Sequence, residues 1–149
     1  MAGPALTAHV FVACRSVQWD GPPGPHTTRT LEQVHYTYHT DQPSGFPYET
    51  DIWLFVRLVH RRRREFSREL YVSLRWHDDP QYRPELWTRR YQVATFRPDV
   101  AVRDVAFPVP LVFEGAGTYQ FRLWYPVRRA WDGATRRRVL ADTYIRIEG

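Results

Sequence analysis

Apolar and polar side chains alternate with a period of two along most of the chain, the pattern of strands that bury one face. The first run is His9-Val10-Phe11-Val12-Ala13-Cys14. Leu31 to His39 is the second, with Val34, Tyr36 and Tyr38 on one face. Ile52 to Val59 is the strongest: Ile52, Leu54, Val56 and Leu58 share one face, and Trp53, Phe55 and Val59 the other. A strand apolar on both faces belongs inside a sheet rather than at its edge. Leu70, Val72, Leu74 and Trp76 mark a fourth strand. Tyr91 to Phe96 and Val100 to Phe107 read as the fifth and sixth, joined by Arg97-Pro98-Asp99. Tyr119, Phe121, Leu123 and Tyr125 mark the seventh, and Val139 to Ile147 the eighth.

Turn chemistry separates these runs. Asp20-Gly21-Pro22-Pro23-Gly24-Pro25 and Gln42-Pro43-Ser44-Gly45-Phe46-Pro47 are loop sequences. Asp79-Pro80 and Arg83-Pro84 break the connection over 77–90, and Pro108 and Pro110 are expected to end the sixth strand. The nearest approach to a helix is a short turn around Pro84 to Thr88. Short strands punctuated by proline and glycine predict an all-β protein: one antiparallel β-sandwich of about eight strands, spanning 1–149 as a single domain.

Composition narrows the functional classes. The 149 residues carry a formal net charge of +5. All 21 basic residues are arginine. A GC-rich genome produces that bias without selection on function, so arginine runs weigh less here than elsewhere. The single cysteine, Cys14, excludes an intrachain disulfide framework and a multi-cysteine metal site. It reads as a small core residue. Uninterrupted apolar stretches such as Ile52 to Val56 fall far short of the roughly 20 residues of a membrane-spanning helix. Ala5 to Cys14 is mildly apolar, but no basic segment precedes it and His9 interrupts it, so the expected location is the cytoplasm.

The segment Glu114-Gly115-Ala116-Gly117-Thr118-Tyr119-Gln120-Phe121-Arg122-Leu123 resembles the G-x-Y-x-apolar strand of immunoglobulin-like domains. In that pattern a glycine permits a tight corner and a tyrosine hydroxyl caps the loop behind it. Phe121 stands where an antibody domain has a disulfide-bonded cysteine, which excludes the antibody class. The wider layout (Val10 to Val17, Gly21 to Gly24, Gly115 to Leu123, Leu140 to Ile147) resembles a set of uncharacterised bacterial β-sandwich proteins that carry a domain of unknown function. The resemblance implies an immunoglobulin-like fold and brings no catalytic residues with it.

Candidate chemistry is dominated by arginine. Arg61, Arg62, Arg63 and Arg64 fall between strands three and four; Arg136, Arg137 and Arg138 precede strand eight, with Arg128 and Arg129 nearby. If successive strands reverse direction, both groups lie at one end of the molecule, together with Arg15 and Arg97. The other end collects Asp41, Glu49, Asp51, Asp78, Asp79, Glu85 and Glu114, against Arg83, Arg89 and Arg90. A basic end suits nucleic-acid phosphates or an acidic protein; the plain alternative is a solvated turn. No glycine-rich phosphate loop enters a helix, and no stacking motif of the RNP type is present.

His35 and His39 share a strand face about 13 Å apart at 3.3 Å per residue, too far for one metal ion. His77-Asp78-Asp79 is more compact and has ligand types for a divalent cation, but Asp-Pro also begins turns for backbone reasons. Neither G-x-S-x-G nor H-E-x-x-H nor S-x-x-K occurs, and Cys14 lies in a strand with no helix to lower its pKa. The six Trp, nine Tyr and eight Phe exceed the needs of one small core. Trp19, Trp87, Trp131, Tyr82, Tyr48 and Phe46 fall in or near loops, where aromatics serve interfaces or seal a sandwich edge.

The expected function is therefore a non-catalytic binding or adaptor module without a cofactor or metal. Its recognition residues are Arg61, Arg62, Arg63, Arg64, Arg128, Arg129, Arg136, Arg137, Arg138, Tyr82 and Trp87. The expected partner is a protein or a second copy of the chain rather than a membrane. The second candidate is nucleic acid, held at the basic end.

Overall fold

The computed structural model describes residues 6–19, 29–34, 37–39, 46–61, 69–78, 85–92 and 102–149. These form nine strands: β1 (Leu6–Trp19), β2 (Arg29–Val34), β3 (Thr37–His39), β4 (Tyr48–His60), β5 (Glu69–Trp76), β6 (Trp87–Gln92), β7 (Val102–Phe113), β8 (Gly117–Arg128) and β9 (Thr135–Glu148). They make two sheets, in the orders β2-β1-β4-β7 and β3-β9-β8-β5-β6.

The alternation seen in the sequence supplies the core. Ile52, Leu54, Val56 and Leu58 of β4 are all fully buried. Side chains of that size stabilise the fold by roughly 1.5–3 kcal/mol each through removal from water. They join Phe107, Val109, Leu111 and Phe113 of β7 with Leu70, Val72, Leu74, Phe121, Leu123, Ile145 and Ile147 of the other sheet in one apolar cluster. The two sheets therefore share a single core, and Phe113 meets Tyr119 across it in an edge-to-face contact at 4.7 Å. β4 pairs with both β1 and β7, the interior position its two apolar faces demand.

Gly115 and Tyr119 set the corner between β7 and β8. The Tyr119 hydroxyl donates to the Gly115 carbonyl at 2.7 Å while its ring is buried. Trp76 of β5 stacks on Tyr119 at 5.6 Å and lies directly against the two glycines of the corner. A Cβ on Gly117 would sit 2.5 Å from Trp76 Nε1, and the backbone there has φ of +146°. Glycine is required at 117 on both counts.

Several expectations are corrected. Leu31 to His39 is not one strand. β2 runs antiparallel to β1 in one sheet, and β3 runs parallel to β9 in the other, so the chain reverses and changes sheets between them. The count of reversals shifts by one at that point. Arg15 consequently lies near the start of β4, hydrogen-bonded to Thr50, at the opposite end from Arg61. Pro108 and Pro110 do not end a strand; β7 runs through both with its register to β4 unbroken. A proline has no N–H to give, so both occupy positions whose backbone faces away from β4. Among the described strands β7 is at the edge of its sheet, the setting in which such positions exist. β6 begins at Trp87 rather than Tyr91, and residues 85–88 form no helical turn. Trp87 packs against the core instead of standing in a loop. The turn Arg97-Pro98-Asp99 and the loop Asp20 to Pro25 lie outside the described residues.

Candidate functional site

β8 and β9 pair along their whole length, interrupted by a bulge at Leu123/Trp124 that leaves Leu140 without an opposite residue. Beyond the bulge the hairpin carries Arg128 at the end of one arm and Arg136, Arg137 and Arg138 near the start of the other. The arginines therefore belong to a strand, not to a loop before it. Arg136 pairs with Val127 and Arg138 with Tyr125, so both lie on the face that becomes the core further along. Arg137 pairs with Pro126 on the opposite, solvent face.

The turn that closes the hairpin is tightly held. Arg129 N–H donates to the Ala134 carbonyl at 2.8 Å, and Gly133 N–H to the Arg129 carbonyl at 2.9 Å. Gly133 takes φ of +70°, the left-handed conformation in which glycine carries no steric penalty. Asp132 accepts from the Ala134 N–H at 2.9 Å and forms an ion pair with Arg129 at 3.2 Å. Trp131 stands in this turn at 80% exposure, with the Arg129 guanidinium 5.0 Å from its ring centroid. The Asp132-Gly133 dipeptide is the signal in the sequence for this turn. Trp131 stood out only as one loop aromatic among several.

The predicted recognition residues divide into groups. Arg128, Arg136 and Arg138 are exposed, with no ion-pair partner among the described residues. Arg61 is exposed beyond the end of β4, at the same end of the molecule as the hairpin turn. Arg62, Arg63, Arg64 and Tyr82 lie outside the described residues. Arg129 is committed to Asp132 and Trp131. Trp87 faces the core.

Arg137 is engaged within the fold. Its guanidinium lies 4.1 Å over the Trp124 ring and forms a two-point ion pair with Glu85. Trp124 stacks in turn on Tyr71 at 4.5 Å and donates its indole N–H to Ser73 Oγ at 2.8 Å. Thr88 bonds both Ser73 and Glu85. This closed network covers Trp124, which is 6% exposed although it points away from the core. Arg57 with Asp104 and Arg122 with Asp142 form two further two-point pairs on the outer sheet faces. The paired carboxylate raises the arginine pKa in each case.

The remaining candidates are structural where they are described. Asp78 accepts from the Thr118 N–H at 2.8 Å, and His77 N–H donates to the Thr118 carbonyl, so the two extend the β5–β8 ladder. Asp79 and His35 lie outside the described residues, and His39 belongs to β3 opposite Glu148. Burial pushes the Cys14 thiol up, away from the reactive thiolate. Glu49, Asp51, Asp78 and Glu114 lie at the end opposite the hairpin turn, whereas Glu85, expected at that end too, is paired with Arg137 of the hairpin, and Asp41 lies outside the described residues. No helix among the described residues is long and apolar enough to cross a membrane.

No protein-family model matches the chain, and no curated protein matches it.

Proposed function

We propose that this chain is a non-catalytic recognition module of the cytoplasm, built on an immunoglobulin-like β-sandwich and binding an anionic partner at its arginine-rich end. The order β1-β4-β7 in one sheet corresponds to strands A-B-E of that fold, and β9-β8-β5-β6 to G-F-C-C′. The Tyr119 hydrogen bond to Gly115 supports the same reading, since a tyrosine corner near the start of strand F is a hallmark of the fold.

The observation that carries the binding reading is the β8–β9 turn. It presents Trp131 to solvent on a backbone fixed by three hydrogen bonds, flanked by cations with no ion-pair partner among the described residues. Elsewhere in the described strands, Arg57, Arg90, Arg122 and Arg146 are each paired with a carboxylate. A rigid aromatic among uncommitted guanidinium groups loses little conformational entropy on binding.

The test is retention on a polyanion column such as immobilised heparin. The native chain is expected to need substantially more salt for elution than a variant with Arg128, Arg136 and Arg138 replaced by serine, both remaining folded by circular dichroism. Elution of both at the same salt concentration would remove the hairpin end as the recognition site.

A further inference from the structure

Resting on that reading, we propose that the hairpin end takes single-stranded nucleic acid crossing the turn, with one base stacked on Trp131, phosphates on one face of the hairpin held by Arg136 and Arg138, and one on the other face held by Arg128. Three features distinguish this ligand from other anions. First, Trp131 offers a flat ring at 80% exposure with Arg129 lying over it, so a base closing on the free face completes a guanidinium–indole–base stack. Stacking of this kind tolerates any base, because every base has a π face. Second, Arg136 and Arg138 lie on one face of β9, two residues apart. That is a separation of about 6.6 Å at 3.3 Å per residue, comparable to the step between successive phosphates of a nucleic-acid strand. Third, the rest of the turn is Ala130, Asp132, Gly133 and Ala134, with no large aliphatic side chain.

The third feature argues against the two competing macromolecules. A protein interface of useful affinity needs a buried apolar centre, and the turn 129–134 supplies one ring and no large aliphatic side chain. Docking on a membrane draws on several apolar side chains entering the interface, and Trp131 is the one large apolar side chain of the turn. Duplex nucleic acid offers phosphates, but its bases are already stacked on one another, which leaves an exposed indole unused.

The experiment uses the full chain and measures fluorescence anisotropy of labelled oligo-dT and oligo-U of about a dozen nucleotides. A duplex of the same length, poly-glutamate, and vesicles of phosphatidylcholine with phosphatidylserine are titrated alongside. Three phosphate contacts on a single strand give a slope near −2 in log affinity against log salt. Affinity should then fall roughly twentyfold between about 50 and 200 mM salt. Trp131→Ala should weaken binding on the order of tenfold or more, while Trp131→Tyr keeps most of it. Arg136→Ser with Arg138→Ser should flatten the salt slope to about −0.7. Tryptophan emission should be quenched by the oligonucleotide in the native chain and much less in Trp131→Tyr.

Equal affinity for duplex and single strand, or a Trp131→Ala variant that binds like the native chain, overturns the proposal. So does stronger binding to poly-glutamate or to the vesicles. In each case the hairpin variants still report separately on the recognition site. Loss of heparin retention in the serine variant, with no oligonucleotide binding, rejects nucleic acid while leaving the binding module in place.

Discussion

Tyr119→Phe isolates one hydrogen bond at the corner between β7 and β8. The substitution removes the hydroxyl that donates to the Gly115 carbonyl at 2.7 Å and keeps the ring. The stack on Trp76 at 5.6 Å and the edge contact with Phe113 at 4.7 Å therefore persist. A buried neutral hydrogen bond contributes a net 0.5–1.5 kcal/mol, so the expected loss is about 1 kcal/mol. For a chain of this length that is roughly 2–4 °C in the unfolding midpoint. Urea denaturation followed by tryptophan emission should show the midpoint falling with the slope unchanged. Tyr144→Phe is the control: that hydroxyl accepts from Gln120 at 3.0 Å on a half-exposed side chain, and its loss should cost under about 0.5 kcal/mol. Gly117→Ala at the same corner meets Trp76 at 2.5 Å and a φ of +146°, and should cost about 3 kcal/mol or more. A Tyr119→Phe variant as stable as the native chain would mean that water replaces the hydroxyl at no cost, and the corner would owe nothing to this bond.

Pro108→Thr with Pro110→Thr restores two N–H groups on the side of β7 that no described strand pairs with. Sedimentation should then show stronger concentration-dependent association than for the native chain, because an unblocked edge pairs with another chain. Cys14 is fully buried, so its reaction with an aromatic disulfide should be far slower in the native state than in urea; equal rates would contradict the packing around it. Burial pushes the Tyr38 hydroxyl up to about 12, from 10.0 for an unperturbed tyrosine, and Arg15 offsets part of that rise. The folded pKa is thus raised. The stability this side chain confers is complete below pH 10 and is lost as pH rises from 10 towards 12. Urea midpoints across that window should fall in the native chain and fall less in Tyr38→Phe.

The strands legible from sequence are those with an apolar residue at every second position of the inward face. β4, β5, β8 and the second half of β9 keep that period, and their inward apolar residues form the core as read. The sequence misled where the local pattern carried no tertiary information. Leu31 to His39 alternates from Val34 onward, yet it is shared between two sheets, and period two is blind to which sheet a residue joins. That one error reversed the placement of Arg15. Pro108 and Pro110 read as breakers because the edge position of β7 is a property of sheet order, set by distant strands. Arg136 to Arg138 read as a loop because charge masked the strand; their alternation extends a ladder whose far side is solvent. Arg137 reads like its neighbours in the sequence, although it is held by Trp124 of β8 and by Glu85 just before β6.

The parallel pairing of β3 with β9 bears on how the molecule assembles. Thr37 lies opposite Arg146 and His39 opposite Glu148, so this ladder closes nearly the whole described chain into a loop. Three pairs and the buried Tyr38 ring are what offset the entropy of that closure. The β3 ladder cannot form until β9 has settled against β8, a pairing between neighbours joined by a short turn. The clasp is expected to close last in folding and, by reversal, to open first. Hydrogen exchange should find the β3 amides opening at a small fraction of the global unfolding free energy, ahead of every other strand in that sheet.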